Sequence, residues 1–427
     1  MRVQRAVIVT AFAFTAALSI ACGPRAHAAS NTAVPAGSQR QRVLLVSFDG
    51  FRWDYVDRPG AVHLRALAAR GVRAERMIPA FPSKTFPNHY TIVTGLTPEH
   101  HGIVANSMRD ARLGDFRIGS SPAVTDARWW GGEPIWVTAE KQGRRAASYF
   151  WPGSEAAIGG VRPTWYETFD ASRPNAVRVR QVLHWLAMPP DSAPGFIAVY
   201  FGDTDEAGHE FGPGSPRTDV AIERVDAMAG RLVEGIDSLG LREVVNIIIV
   251  ADHGMSQLSP DRVIVLDEYI DMNTIDVVDG SPVAALVPRD SNVERVYAAL
   301  QGQHPHLRVY RKGEVPARLH FNDNPRITPI VAIADDGWTI TTRRALAARG
   351  RASLIGGAHG YDPELPSMGA VFIAAGPGIA QGRVVPPFRN VHVYALMARL
   401  LGLRPAPNDG AVDSVSAVLR TPGASSP

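Results

Sequence analysis

Apolar residues gather along the chain in short, nearly unbroken runs, and the segments between them carry a helical period. Residues 43–48, 196–201, 244–251 and 371–375 are such runs, each of strand length. Hydrophobicity that is continuous rather than alternating marks strands covered on both faces. Helical patterns fall near residues 61–70, 177–186, 219–239, 293–300 and 391–401. This alternation predicts an α/β fold with a mostly parallel central sheet and helices on both faces. Residues 261–351 mix short strands, a helix and many turns, and are expected to form a smaller inserted subdomain. The folded domain is expected over residues 42–420, after a linker of small residues at 29–41.

The first 28 residues read as a secretory signal. Arg2 and Arg5 precede an apolar run at 6–21, and Ala26 and Ala28 supply the small residues of a cleavage site. That run has about 16 residues, short of the roughly 20 needed to span a membrane. A periplasmic or secreted location is therefore expected. The one cysteine, Cys22, lies inside this segment, so the exported chain would hold no disulfide. Ala21-Cys22 resembles a lipid-attachment site, but Ser19 stands where leucine is wanted. The signal also accounts for the basic balance. Without Arg2, Arg5 and Arg25, the 44 basic residues become 41, equal to the 41 acidic ones. A basic surface for a nucleic acid polymer is not expected.

In open α/β sheets, ligands bind beyond the carboxyl ends of the strands, and three of those ends are loaded with chemistry. Residues 43–48 run into Asp49-Gly50, residues 196–201 into a segment holding Asp205 and His209, and residues 245–251 into Asp252-His253-Gly254. His359 precedes the apolar run at 371–375. Each feature has an ordinary explanation, since a lone Asp at a strand end is usually a cap or turn former. Three Asp/His clusters on one sheet edge are harder to explain that way. Their oxygen and imidazole donors suit zinc and its neighbours. Thr85, in Pro82-Ser83-Lys84-Thr85-Phe86-Pro87-Asn88-His89, is placed at a helix start, with Gly95 as the C-terminal cap. Alone it reads as an N-cap. Beside a metal cluster it reads as a nucleophile whose phosphate would be received by free N–H groups.

Taken together, residues 47–50, 81–89, 101–106, Asp205 with His209, residues 252–256 and residues 359–361 resemble the nucleotide pyrophosphatase/phosphodiesterase family of the alkaline phosphatase superfamily, in a bacterial secreted form. The resemblance runs from about residue 43 to 401 and implies an alkaline-phosphatase-like fold. It implies two Zn2+ ions, one held by Asp205, His209 and His359, the other by Asp49, Asp252, His253 and the Thr85 hydroxyl. Asn106 matches the asparagine that holds a phosphate oxygen together with the Thr85 N–H. Phe86 and Tyr200 match aromatics that stack a nucleobase. The segment from 150 to 169 resembles the insertion of nucleotide-cleaving members, with Trp151 and Phe169 as further contacts; the family often has tyrosine at Phe169. His89, His100 and His101 receive no ligand role and read as supporting or surface positions.

The implied reaction is hydrolysis of a nucleotide or nucleotide-like diester through a phosphothreonine, releasing a nucleoside monophosphate, by a monomer without a stable membrane span. Other small diesters, or a monoester, are alternative substrates. A zinc- or nucleotide-binding protein without turnover is the alternative of another class.

Overall fold

The computed structural model describes residues 41–421. The signal-like segment 1–28 and nearly all of the 29–41 linker lie outside the described residues. Eight described strands form the central sheet: β1 (Arg42–Phe48), β2 (Val72–Ala74), β3 (Ala146–Tyr149), β4 (Trp165–Glu167), β5 (Phe196–Phe201), β6 (Val245–Val250), β7 (Phe372–Ala375) and β8 (Arg383–Val385). Their spatial order is β8-β2-β7-β6-β1-β5-β3-β4. Only β7 runs against its neighbours, β2 and β6, so the sheet is mixed but mostly parallel.

Every residue of β1 and of β6 is buried. Successive strand side chains point to opposite faces, so both faces of the sheet are covered at its centre. The covering helices form two groups. Val62–Arg70, Asn175–Leu186 and Asp203–Phe211 pack against the long helix Pro216–Ser238, while Thr85–Thr94 and Ile135–Lys141 pack against His392–Leu401. The long helix starts where its sequence says it should. The Ser215 hydroxyl accepts the Arg217 N–H, and Pro216, which has no N–H to satisfy, takes the first position.

Between β6 and β7 the chain builds a second, antiparallel sheet from Ile275–Asp279, Val283–Pro288, Leu307–Arg311 and Ile330–Ala334. Helix Val293–Leu300 packs on it, and Leu286, Val296, Leu300 and Ile330 belong to a core distinct from that of the main sheet. No described helix is long and apolar enough to cross a membrane.

Candidate metal centre and nucleophile

The three loaded strand ends meet because β1 lies between β5 and β6. Its register sets Phe48 beside Phe201 and Ser47 beside Val250, so the three tips finish at nearly one level. Asp49 follows β1 directly. Asp205 and His209 lie one turn apart on helix Asp203–Phe211, and Asp252-His253 follow β6. Gly50 permits the close approach. Its φ of 65° is left-handed, and a side chain there would meet Asp205 at 3.0 Å. His359 arrives differently, on a two-residue ladder in which Ser256 pairs with Ala358 and Gln257 with Gly357.

Two candidate ligand sets result, Asp205/His209/His359 and Asp49/Asp252/His253, each with donor atoms within 4.8 Å of one another. In the first, His209 Nε2 lies 3.4 Å and His359 Nε2 3.6 Å from Asp205 Oδ1. In the second, His253 Nε2 lies 2.9 Å from Asp252 Oδ2 and 3.5 Å from Asp49 Oδ1. The side chains of Asp49, Asp252 and His253 are buried.

The donors fit cations and fit little else. His209, His253 and His359 each place Nδ1 at 2.9 Å from a backbone carbonyl, those of Gly357, Gly254 and Ser83 respectively. A carbonyl only accepts, so each Nδ1 carries a proton, and each ring when neutral would offer a lone pair at Nε2. The Nε2 atoms of His209 and His359 are 3.1 Å apart. Two lone pairs at that distance would repel, and a cation between them would relieve the repulsion. Protonation is the poorer answer, because burial, together with His253 and His209, holds the His359 imidazole well below its usual range.

The carboxylates agree. Asp49 Oδ1, Asp205 Oδ1 and Asp252 Oδ2 are buried without a hydrogen-bond donor. Burial, reinforced by the charges of Asp252 and Asp205, pushes the Asp49 carboxyl well above the ordinary carboxylate range. Burial would raise Asp252 too, yet His253 and His89 together outweigh it and hold that carboxyl low. Three crowded carboxylates without compensating cations are costly, and two divalent ions would remove the cost.

Thr85 is the first residue of helix Thr85–Thr94, whose end is capped by Gly95 at φ 67°. It therefore sits one position inside the N-cap, which is Lys84. Its Oγ1 lies 3.4 Å from His253 Nε2, at the edge of the second ligand set. Asn106 Oδ1 accepts the Phe86 N–H at 3.0 Å, Pro87 has no N–H, and the Asn88 N–H bonds the Lys84 carbonyl. In the first turn this leaves the Thr85 N–H, with the Asn106 amide N–H groups, to meet an anion.

A family model described as type I phosphodiesterase/nucleotide pyrophosphatase matches residues 43–362. The chain belongs to this family. It is 38% identical over 400 residues to a venom phosphodiesterase of Macrovipera lebetinus, and 38% identical over 400 residues to ectonucleotide pyrophosphatase/phosphodiesterase family member 1 of Homo sapiens. Each alignment covers 91% of this chain but 46% and 43% of those relatives, so the chain spans about half their length. Murine ectonucleotide pyrophosphatase/phosphodiesterase 5 superposes with a TM-score of 0.84 at 37% identity, covering 89% of this chain and all of that one. An inactive threonine-to-alanine variant of that murine protein, in complex with AMP, superposes equally well.

Within this phosphodiesterase framework the aromatic positions separate. Phe169 is 53% exposed, and Phe86 is half-buried against Phe116 and Trp130. Tyr200 has a second task, because its hydroxyl donates to Asp49 Oδ2 at 2.7 Å and so orients a candidate ligand. Trp151 needs correction. It is 1% exposed, its indole N–H donates to the His89 carbonyl, and its ring packs edge-on against His89. It supports the site from beneath and offers no face to a nucleotide.

His89 takes the supporting role expected of it. It is fully buried, with Nε2 2.8 Å from Ser47 Oγ and Nδ1 3.0 Å from the Thr85 carbonyl and 3.3 Å from Asp252 Oδ2. It thus ties β1, the Thr85 helix and Asp252 together. The signal was its spacing of four residues from Thr85, one helical turn. His101 is a buried core residue, and His100 pairs with Asp409.

Proposed function

We propose that this chain is a hydrolase that uses two divalent cations, zinc by its donor set, to cleave phosphodiester or pyrophosphate bonds of nucleotides at the α-phosphate. Thr85 Oγ1 attacks the α-phosphorus and expels the alcohol or phosphate beyond it, and water then cleaves the resulting phosphothreonine to release the nucleoside monophosphate. The observation that carries this reading is the Thr85 hydroxyl 3.4 Å from His253 Nε2, at the rim of a buried Asp/His cluster and at the start of a helix.

Two divalent ions held there would lower the hydroxyl pKa and neutralise charge on phosphoryl oxygens. The protein does the rest. Asp205, His209 and His359 hold one ion, and Asp49, Asp252 and His253 the other. The Thr85 N–H and the Asn106 amide are donors fixed in advance for the equatorial phosphate oxygens. Phe86 and Phe169 present aromatic faces to a base, and stacking tolerates any base. AMP in the murine relative agrees with a nucleotide. Export to a periplasmic or external compartment belongs to the same proposal and rests on the sequence of residues 1–28.

The test is a paired assay of the metal-loaded protein with p-nitrophenyl thymidine monophosphate and p-nitrophenyl phosphate, with and without chelator. Diester cleavage that exceeds monoester cleavage and disappears on chelation is expected. A preference for the monoester would overturn the substrate class, and activity indifferent to chelation would overturn the metal mechanism.

A further inference from the structure

The residue just before the nucleophile, Lys84, is almost entirely buried, and its ammonium has one carboxylate partner. Its side chain is 6% exposed and its Nζ pairs with Asp279 Oδ2, itself 13% exposed. Asp279 does not come from the central sheet. It ends the first strand of the antiparallel sheet, Ile275–Asp279, at a register irregularity between Val277 and Asp279. The inserted sheet therefore reaches across and grips the N-cap of the Thr85 helix.

This grip is part of a wider one. Asp276, on the same strand, accepts from Arg109 at 3.0 Å, and Arg109 lies on Ser107–Asp110, the strand that follows Asn106 directly. The Arg326 guanidinium pairs with Asp110 at 3.0 Å and donates to the carbonyls of Gly102 and Trp129. The two residues that would meet phosphate, Thr85 and Asn106, are thus each adjoined by residues tied to the same insertion. Of the two ties made by the strand Ile275–Asp279, Lys84–Asp279 is largely buried and Arg109–Asp276 is exposed, while Arg326–Asp110 is buried to a degree similar to the first. Exposed ion pairs contribute little, whereas a buried ammonium stripped of its partner must move toward water.

On this basis we propose that Asp279 is a positioning residue for the nucleophile: by holding the Lys84 ammonium it fixes the N-cap of the Thr85 helix, and with it the Thr85 hydroxyl and N–H. The activity half of this inference rests on the proposed function, while the geometric half does not. Lys84 is also set from behind. Its carbonyl accepts the Asn88 N–H and the Asn88 amide, and a side chain at Gly360 would lie 3.1 Å from Lys84 Cε. With the backbone held on one side and the ammonium on the other, the residue has little room to relax.

The experiment compares Asp279→Asn, Lys84→Met and the double variant Lys84→Met/Asp279→Leu with Asp276→Asn, in the full metal-loaded chain. Two measurements are made: amide hydrogen exchange of the segment 84–88, and kcat and KM on p-nitrophenyl thymidine monophosphate. Asp279→Asn should accelerate exchange in that segment while leaving β1 and β6 protected. It should also lower kcat roughly 10- to 100-fold with KM within about twofold, since a displacement near 1 Å costs that much. The two single losses should not add in the double variant. Asp276→Asn should change neither measurement. If Asp279→Asn does not fold, the double variant, which buries no lone charge, decides alone: wild-type exchange and kcat in it overturn the proposal. Unchanged exchange in Asp279→Asn, a loss confined to KM, or additive losses overturn it as well. A wild type without diesterase activity sinks the proposed function but leaves the exchange result standing as the test of positioning.

Discussion

The imidazoles of His253 and His359 stack face to face, with centroids 3.4 Å apart and planes within 12°. Each ring belongs to a different ligand set, so the two candidate ion sites share a wall built of their own donors. The first prediction concerns metal. The isolated protein should bind about two divalent ions per chain, and removing them should destabilise it by about 2.7 kcal/mol for each site held at a hundredfold excess over Kd. Elemental analysis and thermal melts before and after chelation, with zinc added back, measure both. A melting temperature indifferent to chelator and zinc would remove both sites.

Thr85→Ala deletes the nucleophile while leaving the six Asp and His donors in place. Turnover should fall by several orders of magnitude, with metal content and melting temperature close to those of the parent. Residual activity within tenfold of wild type would take Thr85 out of the reaction.

Asn106→Ala removes a donor aimed at the phosphate and also releases the Phe86 N–H. One oxyanion donor is typically worth about 100- to 1,000-fold in kcat. The loss should appear in kcat rather than in KM. Steady-state kinetics showing a pure KM effect would mean that Asn106 serves only to hold the helix start.

Two aromatic substitutions should part company. Phe169→Ala should raise KM for a nucleotide by roughly 5- to 150-fold, the equivalent of about 1 to 3 kcal/mol of stacking, at unchanged stability. Trp151→Ala opens a cavity in a filled core and should cost about 3 to 5 kcal/mol of folding free energy. Urea titrations and Michaelis plots of both variants settle the contrast, and the reverse assignment would restore Trp151 as a substrate contact.

His101 supplies a pH prediction away from the metal ligands. Burial lowers its pKa to about 3. Its Nδ1 accepts the Ile103 N–H and its Nε2 meets Thr91 Oγ1 at 3.0 Å, so the folded state wants it neutral. In the unfolded chain the pKa is about 6.5, and between the two values the unfolded chain binds the extra proton. This contribution is complete above about pH 6.5 and is lost on acidification toward pH 3, at about 1.4 kcal/mol per pH unit. With metal stripped from both proteins, His101→Asn should lose less stability between about pH 6.5 and 4 than the parent. Parallel pH profiles would exclude His101 as the source.

Much of this architecture was legible from hydrophobic runs. Strands β1, β5, β6 and β7 and helix Val293–Leu300 lie within a residue of where their patterns place them, because burial on both faces leaves an unbroken apolar signature. Asp49 and Asp252 were legible for the same reason, as polar residues that directly end such runs, and Asp205 as part of the polar segment that follows one. Strands β2, β3, β4 and β8 have three or four residues each, too few for a period to register. The part of His359 came from family resemblance, since its approach depends on a ladder of two residue pairs. The burial of Trp151 is not legible, because sequence shows an aromatic residue but not which way it faces. The Lys84–Asp279 pair joins residues 195 positions apart, and nothing local announces it.

The levelled tips of β5, β1 and β6 carry a consequence for folding. Sliding β1 by one residue would displace Asp49 by about 3.3 Å and turn it to the opposite face of the sheet. A misaligned chain could still bury its leucines and valines, but it could not assemble the Asp49/Asp252/His253 set. If the set holds a cation as proposed, capture of that ion would favour the aligned pairing, and a compartment starved of metal would lose that preference.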